Sequence, residues 1–241
     1  MKICVTSQKG GCGKTTTAAL IALTIAAEGK RVLCIDCDPQ GGLTSLLGAE
    51  PGPGVFELII KTAAEPVQAR GVDLPGPLLD QVMSVPVQAR GVDLLRADHR
   101  LDKVAYSMTP RDIARVVNSF DHEYIIIDTP PTVQGISRAA AQAADMVIIP
   151  ADIAITTIGP TLYTLEALDD IDRATRVLLI GKDPKEGTRG FYADLYREFH
   201  DRIKPRYAGT IPRTAGAQKA AAGLQRVPRA ISNIIGGILW T

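Results

Sequence analysis

The chain has 241 residues, of which 46% are hydrophobic and 22% are charged, and its formal net charge is +1. A chain of this size can bury a substantial core and fits one large α/β domain, so we predict a single domain over residues 1–241. The near-zero net charge excludes the overall electrostatic field that would mark the whole chain as a binder of nucleic acid or membrane.

The charge is nevertheless distributed unevenly along the chain. Residues 171–241 contain 13 Lys and Arg against 6 Asp and Glu, whereas residues 1–170 contain 14 against 20. An asymmetry of this kind predicts a basic surface in the C-terminal third of the chain. That surface could neutralise phosphates, although a solvated basic surface without a partner is the alternative.

The start of the chain and its cysteines indicate a cytoplasmic protein. The first residues run directly into a glycine-rich segment, without the charged and apolar stretches of a signal peptide. All four cysteines lie within the first 37 residues, and a reducing compartment would keep them as thiols. No apolar run approaches the ~20 residues that a membrane-spanning helix needs, so we expect no transmembrane segment.

Short β-branched runs alternate with helical patterns along the chain. We predict strands at residues 3–6, 32–35, 92–95, 124–127, 146–149, 177–180 and 207–211. We predict helices at residues 15–28, 110–120, 137–144, 160–171, 191–203 and 215–224. Thr109 can cap the second of these helices, and Pro110 suits its first position. The alternation predicts the α/β class, with a mostly parallel twisted sheet and helices on both faces.

A sequence of nine residues occurs twice, at residues 66–74 and 86–94. The first copy leads into Pro75-Gly76-Pro77, which cannot continue a strand, whereas the second continues into Leu95. We therefore predict that the second copy supplies the strand at 92–95 and that residues 62–85 form a surface insertion. The sequence leaves the role of the duplicated segment open.

A glycine-rich segment lies between the first predicted strand and the first predicted helix. It reads Lys9-Gly10-Gly11-Cys12-Gly13-Lys14-Thr15, and Thr16 follows. Glycines let the backbone wrap closely, and the backbone N–H groups at the start of a helix attract phosphate. Lys14 offers a charge for the β- and γ-phosphates, the Thr15 hydroxyl suits Mg²⁺, and Thr16 can meet the α-phosphate. The segment therefore predicts a site for ATP with Mg²⁺.

Acidic residues follow two of the predicted strands. Asp128 comes at the C-terminal end of an apolar strand, where α/β sheets bind ligands, and it can hold Mg²⁺. Asp38 follows the second strand. A carboxylate at that place can orient the water that attacks the γ-phosphate.

The spacing departs from that of the ordinary P-loop, because Gln8 stands where a glycine is expected and Lys9 follows it. The pattern Lys-Gly-Gly-x-Gly-Lys-Thr resembles the deviant Walker A loop of the ParA/MinD family of ATPases. Residues 36–42 are similar to the first switch segment of that family. Residues 124–131 are similar to its Walker B strand and second switch.

The resemblance implies roles for individual residues. Lys9, the signature lysine, would reach the phosphates of the other subunit's nucleotide, so that ATP binding produces a homodimer with two ATP molecules between the chains. Asp38 would be the catalytic aspartate, acting with Lys9 and Lys14. Asp36 would support the switch or the outer shell of the metal. Lys182 and Pro212, near the ends of two late strands, would lie beside the adenine base.

The resemblance also gives the basic third of the chain an expected partner. ParA-type proteins bind DNA without sequence preference and coat the nucleoid, and a ParB-like adaptor stimulates their ATP hydrolysis. The candidate DNA contacts are Lys185, Arg189, Arg206, Lys219 and Arg226. These features predict a partitioning or positioning ATPase with weak intrinsic activity.

Two other functions stay open at this point. One is a MinD-like positioning ATPase at a membrane, and the other is a nucleotide-gated scaffold with negligible turnover. A membrane helix would need a basic polar face, but nothing after Arg229 is charged, so we expect residues 231–241 to pack against the body. We expect Gly236 and Gly237 to weaken a continuous helix there. Cys34 and Cys37 have metal-site spacing, but the chain has no second Cys pair nearby and no adjacent His, which disfavours zinc.

Overall fold

The computed structural model describes residues 1–62, 86–152, 155–181 and 191–240. Most of the expected surface insertion, residues 63–85, and with it the first copy of the duplicated sequence, lies outside the described residues. The insertion therefore stays a prediction.

The strands in the described residues form one sheet. They are β1 (Lys2–Val5), β2 (Val32–Asp36), β3 (Val87–Ala89), β4 (Val92–Leu95), β5 (Tyr124–Asp128), β6 (Met146–Asp152), β7 (Ala174–Ile180) and β8 (Tyr207–Ile211). Their order across the sheet is β3-β4-β2-β5-β1-β6-β7-β8. Neighbouring strands are parallel except β3 and β4. The predicted α/β class and mostly parallel sheet are confirmed.

Helices cover both faces of this sheet, as the sequence predicts. They are α1 (Lys14–Ala27), α2 (Gly42–Leu46), α3 (Val55–Thr62), α4 (Pro110–Asn118), α5 (Gly135–Ala143), α6 (Ile155–Ala167), α7 (Phe191–Ile203), α8 (Ala215–Ala221) and α9 (Arg229–Leu239), with short 3₁₀ helices at His99–Lys103 and Lys204–Arg206. Buried side chains of α3 to α7 form one core layer. Those of α1, α2, α8 and α9 form the other. The central strands β1, β2, β5 and β6 therefore have apolar neighbours on both sides, which explains their nearly continuous apolar sequences.

The start of α4 follows its sequence signals. The Thr109 hydroxyl accepts a hydrogen bond from the Asp112 N–H, and the Asp112 carboxylate accepts one from the Thr109 N–H at 3.0 Å. Pro110 is the first residue of the helix. This reciprocal capping box satisfies backbone donors that the first helical turn would otherwise leave free.

The second copy of the duplicated sequence forms a β-hairpin. Strand β3 pairs antiparallel with β4, and the turn residues Arg90 and Gly91 have φ values of 52° and 87°. Two positive φ angles are typical of the tight turns that suit the twist of a hairpin. The predicted strand at 92–95 is confirmed, and it pairs in parallel with β2.

Two expectations about helices are wrong. The helix predicted at residues 160–171 is α6, which runs from Ile155 to Ala167, so Pro160 lies inside it and removes one backbone donor. The C-terminal helix α9 runs without a break through Gly236 and Gly237. Its apolar face packs against β8 and α1 with Ile235 fully buried, and this burial outweighs the poor helix propensity of glycine.

The tail therefore packs against the body, as expected. In the described ranges, every helix is too short or too polar to cross a bilayer.

Candidate functional site

The glycine-rich loop joins β1 to α1 at the C-terminal edge of the sheet. Gly11 and Gly13 have φ values of 71° and 97°, a backbone conformation that favours glycine. Helix α1 begins at Lys14, and its N-cap is Gly13, which has no side chain that could cap the helix. Its first N–H groups are therefore available to an anion.

The Lys14 ammonium is turned back onto this loop. It donates a hydrogen bond to the Lys9 carbonyl at 3.0 Å, and the Cys12 thiol donates to the same oxygen at 3.2 Å. Lys14 is 7% exposed and forms no ion pair within the described part of the chain. A buried cation whose hydrogen bond goes to a neutral carbonyl is suited to bind a charged phosphate.

The side chain of Lys9 leads away from the loop to helix α6. Its ammonium donates to the hydroxyls of Thr156 at 3.0 Å and Thr157 at 2.6 Å. The backbone N–H of the preceding Gln8 donates to the Thr164 hydroxyl at 3.2 Å. The two lysines of one loop therefore have different surroundings. No sequence signal pointed to these threonines, because they lie about 150 residues from the loop.

Asp128 ends β5, directly beside β1, and is fully buried. One carboxylate oxygen accepts a hydrogen bond from the Thr129 N–H at 3.1 Å. The other, Oδ2, has no hydrogen-bond partner among the described residues. Burial raises the pKa of Asp128 well above its usual range, the Asp36 carboxylate adds to the rise, and the Thr15 hydroxyl and Lys14 oppose it.

Asp36 ends the neighbouring strand β2 and is also buried. Its Oδ2 accepts hydrogen bonds from both the N–H and the hydroxyl of Thr44, each at 2.7 Å. Its Oδ1 accepts one from the Asp38 N–H at 3.2 Å. Burial raises the pKa of Asp36 to about 6, while the hydrogen bonds from Thr44 oppose the rise. Asp36 thus holds the loop after β2 and the start of α2 in place.

Asp38 lies where the two expected switch segments meet. Its carboxylate accepts a hydrogen bond from the Gln40 N–H at 3.0 Å. It lines a cavity of about 230 Å³ together with Pro130, Pro131 and Asp102. A carboxylate that lines such a cavity can act on a small molecule such as water.

A second cavity, of about 270 Å³, extends from the glycine loop to the ends of β7 and β8. Its walls include Gly11, Gly13, Thr16, Thr17, Leu20, Ile180, Ile211, Pro212, Arg213, Thr214, Ala217 and Gln218. Pro212 therefore lies in a cavity that continues from the loop. Lys182 lies outside the described residues. The sequence did not single out Leu20, Thr214 or Gln218, although Thr214 carries a visible signal as the N-cap of α8.

The candidate DNA contacts differ in whether their side chains already form an ion pair. Arg206 pairs with Asp169 at 2.8 Å. Lys219 and Arg226 are exposed and form no ion pair with any described residue. Lys185 and Arg189 lie outside the described ranges.

A glycine loop that joins a central parallel strand to an uncapped helix, with a lysine in the loop and a buried aspartate on the adjacent strand, defines the class of P-loop nucleotide-binding proteins. Comparison with known proteins narrows this class. The family model AAA_31, described as an AAA domain, matches residues 1–176. The chain belongs to this family, within the ParA/MinD group of P-loop ATPases.

The chain is similar in sequence to two bacterial proteins named Soj. The chromosome-partitioning ATPase Soj of Thermus thermophilus is 28% identical over 195 residues, which cover 81% of this chain and 69% of that protein. The sporulation initiation inhibitor protein Soj of Bacillus subtilis is 30% identical over 181 residues, covering 73% and 65%. The chain thus spans about two thirds of the length of these relatives.

Among solved structures, the complex of Cyanothece McdA(D38A) with ATP has the same fold. It superposes with a TM-score of 0.73 at 21% identity, covering 98% of this chain and 95% of that one.

Proposed function

We propose that this protein is a partitioning or positioning ATPase. Two chains close around two ATP molecules with Mg²⁺, the dimer binds DNA without sequence preference, and hydrolysis stimulated by a ParB-like adaptor releases it. The cargo would be a plasmid, a chromosome region or a large protein assembly. The observation that carries the proposal is the loop with its two lysines, since Lys14 is turned onto the loop whereas the Lys9 side chain leads away from it.

The residues at the end of β5 fit a magnesium ion. Asp128 offers a buried carboxylate oxygen without a partner among the described residues, and the Thr15 hydroxyl lies near enough to affect its pKa. Carboxylate and hydroxyl oxygens are the ligands that Mg²⁺ prefers. When bound, the ion would neutralise charge on the β- and γ-phosphates. Asp36 is a weaker candidate for the metal, because both of its oxygens already accept hydrogen bonds from the loop after β2.

Different residues of the chain bind the phosphates, orient the water and enclose the base. The α1 N-terminus and the glycine loop bind the phosphates, and Lys14 exchanges the Lys9 carbonyl for a phosphate oxygen. Asp38 orients the attacking water from the cavity between the switches. Pro212 and its neighbours enclose the base. Each of these residues lies where it can contact a bound nucleotide or water: Lys14 at the loop, Asp38 and Pro212 in the two cavities.

DNA binding is supported by the exposed cations of the C-terminal third. Lys219 and Arg226 have no ion-pair partner in the described part of the chain. The pair between Arg206 and Asp169 is exposed, and such a pair is weak enough to exchange for a phosphate. We therefore expect salt-sensitive binding that does not depend on sequence, in the cytoplasm and at the nucleoid.

The enzymatic part can be tested with Asp38→Ala. Phosphate release is measured with ATP, Mg²⁺ and plasmid DNA, and we expect the variant to lower kcat about 100-fold or more. Asp102→Ala is the matched control, because Asp102 lines the same cavity and should leave kcat nearly unchanged. Equal, negligible rates in the wild type and Asp38→Ala, with DNA and the adaptor both present, would support the scaffold with negligible turnover.

The membrane alternative has its own test. The apolar residues of α9 are buried in the body of the protein, including Ile231 and Ile235, so they are not free to enter a lipid surface. We expect no co-sedimentation with liposomes of anionic lipid after DNase treatment. Sedimentation that persists and requires ATP would favour the MinD-like function over DNA binding.

A further inference from the structure

The Lys9 ammonium is bound within its own chain. Its two hydrogen bonds, to the hydroxyls of Thr156 and Thr157, both go to the first turn of α6. Thr157 is fully buried, so this contact is part of the packed structure and not a chance surface contact.

A row of threonines connects α6 to the start of the loop. The Thr161 hydroxyl donates to the Thr157 carbonyl at 2.7 Å, and the Thr164 hydroxyl donates to the Pro160 carbonyl at 2.8 Å. Thr164 also accepts the hydrogen bond from the Gln8 N–H. Helix α6 thus holds both the backbone and the side chain at the beginning of the phosphate loop.

The electrostatic surroundings of the Lys9 ammonium at the first turn of α6 do not favour a cation. The N-terminus of a helix carries partial positive charge, and Lys9 lies at the N-terminal turn of α6. The Lys14 ammonium, on the same loop, contacts the Lys9 carbonyl. Within the described part of the chain no carboxylate pairs with Lys9, and its partners are neutral hydroxyls. A triphosphate would bind the same ammonium much more strongly.

We propose that Thr156 and Thr157 are positioning residues that hold Lys9 in the free chain, and that this contact competes with dimerisation. The inference rests on the proposed function, because it takes the partner's nucleotide as the other binding place of Lys9. Each chain gives up these hydrogen bonds before Lys9 can cross to its partner. The two hydrogen bonds to Lys9 therefore make formation of the ATP dimer less favourable.

Valine substitution tests the competition, because it keeps the shape of threonine and removes the hydroxyl. In the double variant Thr156→Val/Thr157→Val, we expect the dissociation constant of the dimer with ATP and Mg²⁺ to fall about threefold to tenfold. Sedimentation equilibrium on the full chain measures this constant. Thr157→Ser keeps the hydroxyl and should behave as the wild type does. Thr161→Val, one turn further along α6, removes a hydroxyl that does not contact Lys9 and is the matched control.

Amine labelling tests the contact itself, without nucleotide. In the wild type, Lys9 should react with an N-hydroxysuccinimide ester more slowly than the exposed Lys219, as followed by peptide mass spectrometry. The double valine variant should raise labelling of Lys9 about threefold while Lys219 stays unchanged.

Unchanged labelling and an unchanged or weaker dimer in the double variant would overturn the inference. A wild type that stays monomeric with ATP would refute the proposed function and the competition together. Labelling would then still decide whether the threonines hold Lys9, so the two failures remain distinguishable.

Discussion

Two buried carboxylates stand side by side in this molecule and are used in opposite ways. Asp36 and Asp128 are partners in register at the ends of β2 and β5. The oxygens of Asp36 accept hydrogen bonds from Thr44 and Asp38, whereas Oδ2 of Asp128 has no partner among the described residues. A satisfied buried carboxylate stabilises a fold, while an unsatisfied one costs stability and is retained where a ligand can satisfy it.

For this pair of carboxylates, the largest expected effect comes from Asp128→Asn. The variant keeps the shape of the side chain but removes the charge that would attract Mg²⁺, so we expect phosphate release to fall about 100-fold. The free energy of unfolding should stay equal or rise by about 1 kcal/mol, because the variant removes the cost of burying a carboxyl group, which the raised pKa of Asp128 reflects. Phosphate release and urea denaturation of the same sample measure both. Full activity with lowered stability would reverse the assignment of the two carboxylates.

Asp36→Ala should show the opposite pattern. The change leaves the N–H groups of Thr44 and Asp38 without their acceptor, so the free energy of unfolding should fall by about 2–3 kcal/mol. Urea denaturation monitored by circular dichroism measures the loss. A variant as stable as the wild type would show that these hydrogen bonds do not hold the loop.

A pair of threonines sharpens the contrast. Thr44→Val removes the hydroxyl that bonds Asp36 and the Ala97 N–H, so stability should fall by about 1–2 kcal/mol. Thr15→Val removes a hydroxyl next to Asp128, so it should weaken magnesium-dependent nucleotide binding and leave stability within about 0.5 kcal/mol of the wild type. Thermal unfolding and calorimetry with ATP and Mg²⁺ distinguish the two. Equal losses of stability would remove the distinction.

The sequence predicts both carboxylates at the strand ends, because apolar runs identify strands and parallel strands end at one edge of the sheet. The sequence does not show which of the two carboxylates has an oxygen without a hydrogen-bond partner among the described residues. That depends on Thr44, which a short helix brings back to Asp36, and no pattern in the sequence predicts this helix. The destination of Lys9 is equally hidden, since Thr157 is distant in the chain and meets the loop only through packing of α6.

The tail shows the limit of local propensity. Gly236 and Gly237 predict a weakened helix, but α9 continues through them because its apolar face is buried against β8 and α1. Strand β3 has only three residues and exists through its hairpin partner β4. In both cases tertiary contacts decide an element that a short window of sequence cannot.

The smallest expected effect comes from a substitution in α9, which lies outside the two strands that carry the carboxylates. A Cβ on Gly237 would meet no atom of the described residues within 4 Å, so Gly237→Ala should raise the free energy of unfolding by about 0.5–1 kcal/mol through better helix propensity. Phosphate release should not change, because α9 lines neither the cavity that contains Asp38 nor the cavity that contains Pro212. Urea denaturation measures the gain.

Gly236→Ala is the matched control for this change, and it shows how closely the tail is packed. Its Cβ would lie 3.0 Å from the Trp240 ring, so the ring must move and the gain in propensity should be cancelled. If both variants gained equally, Trp240 would not be packed on the helix. If Gly237→Ala changed phosphate release, stability and activity would be coupled across the sheet, and the opposite patterns expected for Asp36 and Asp128 could no longer be assigned to the strand ends alone.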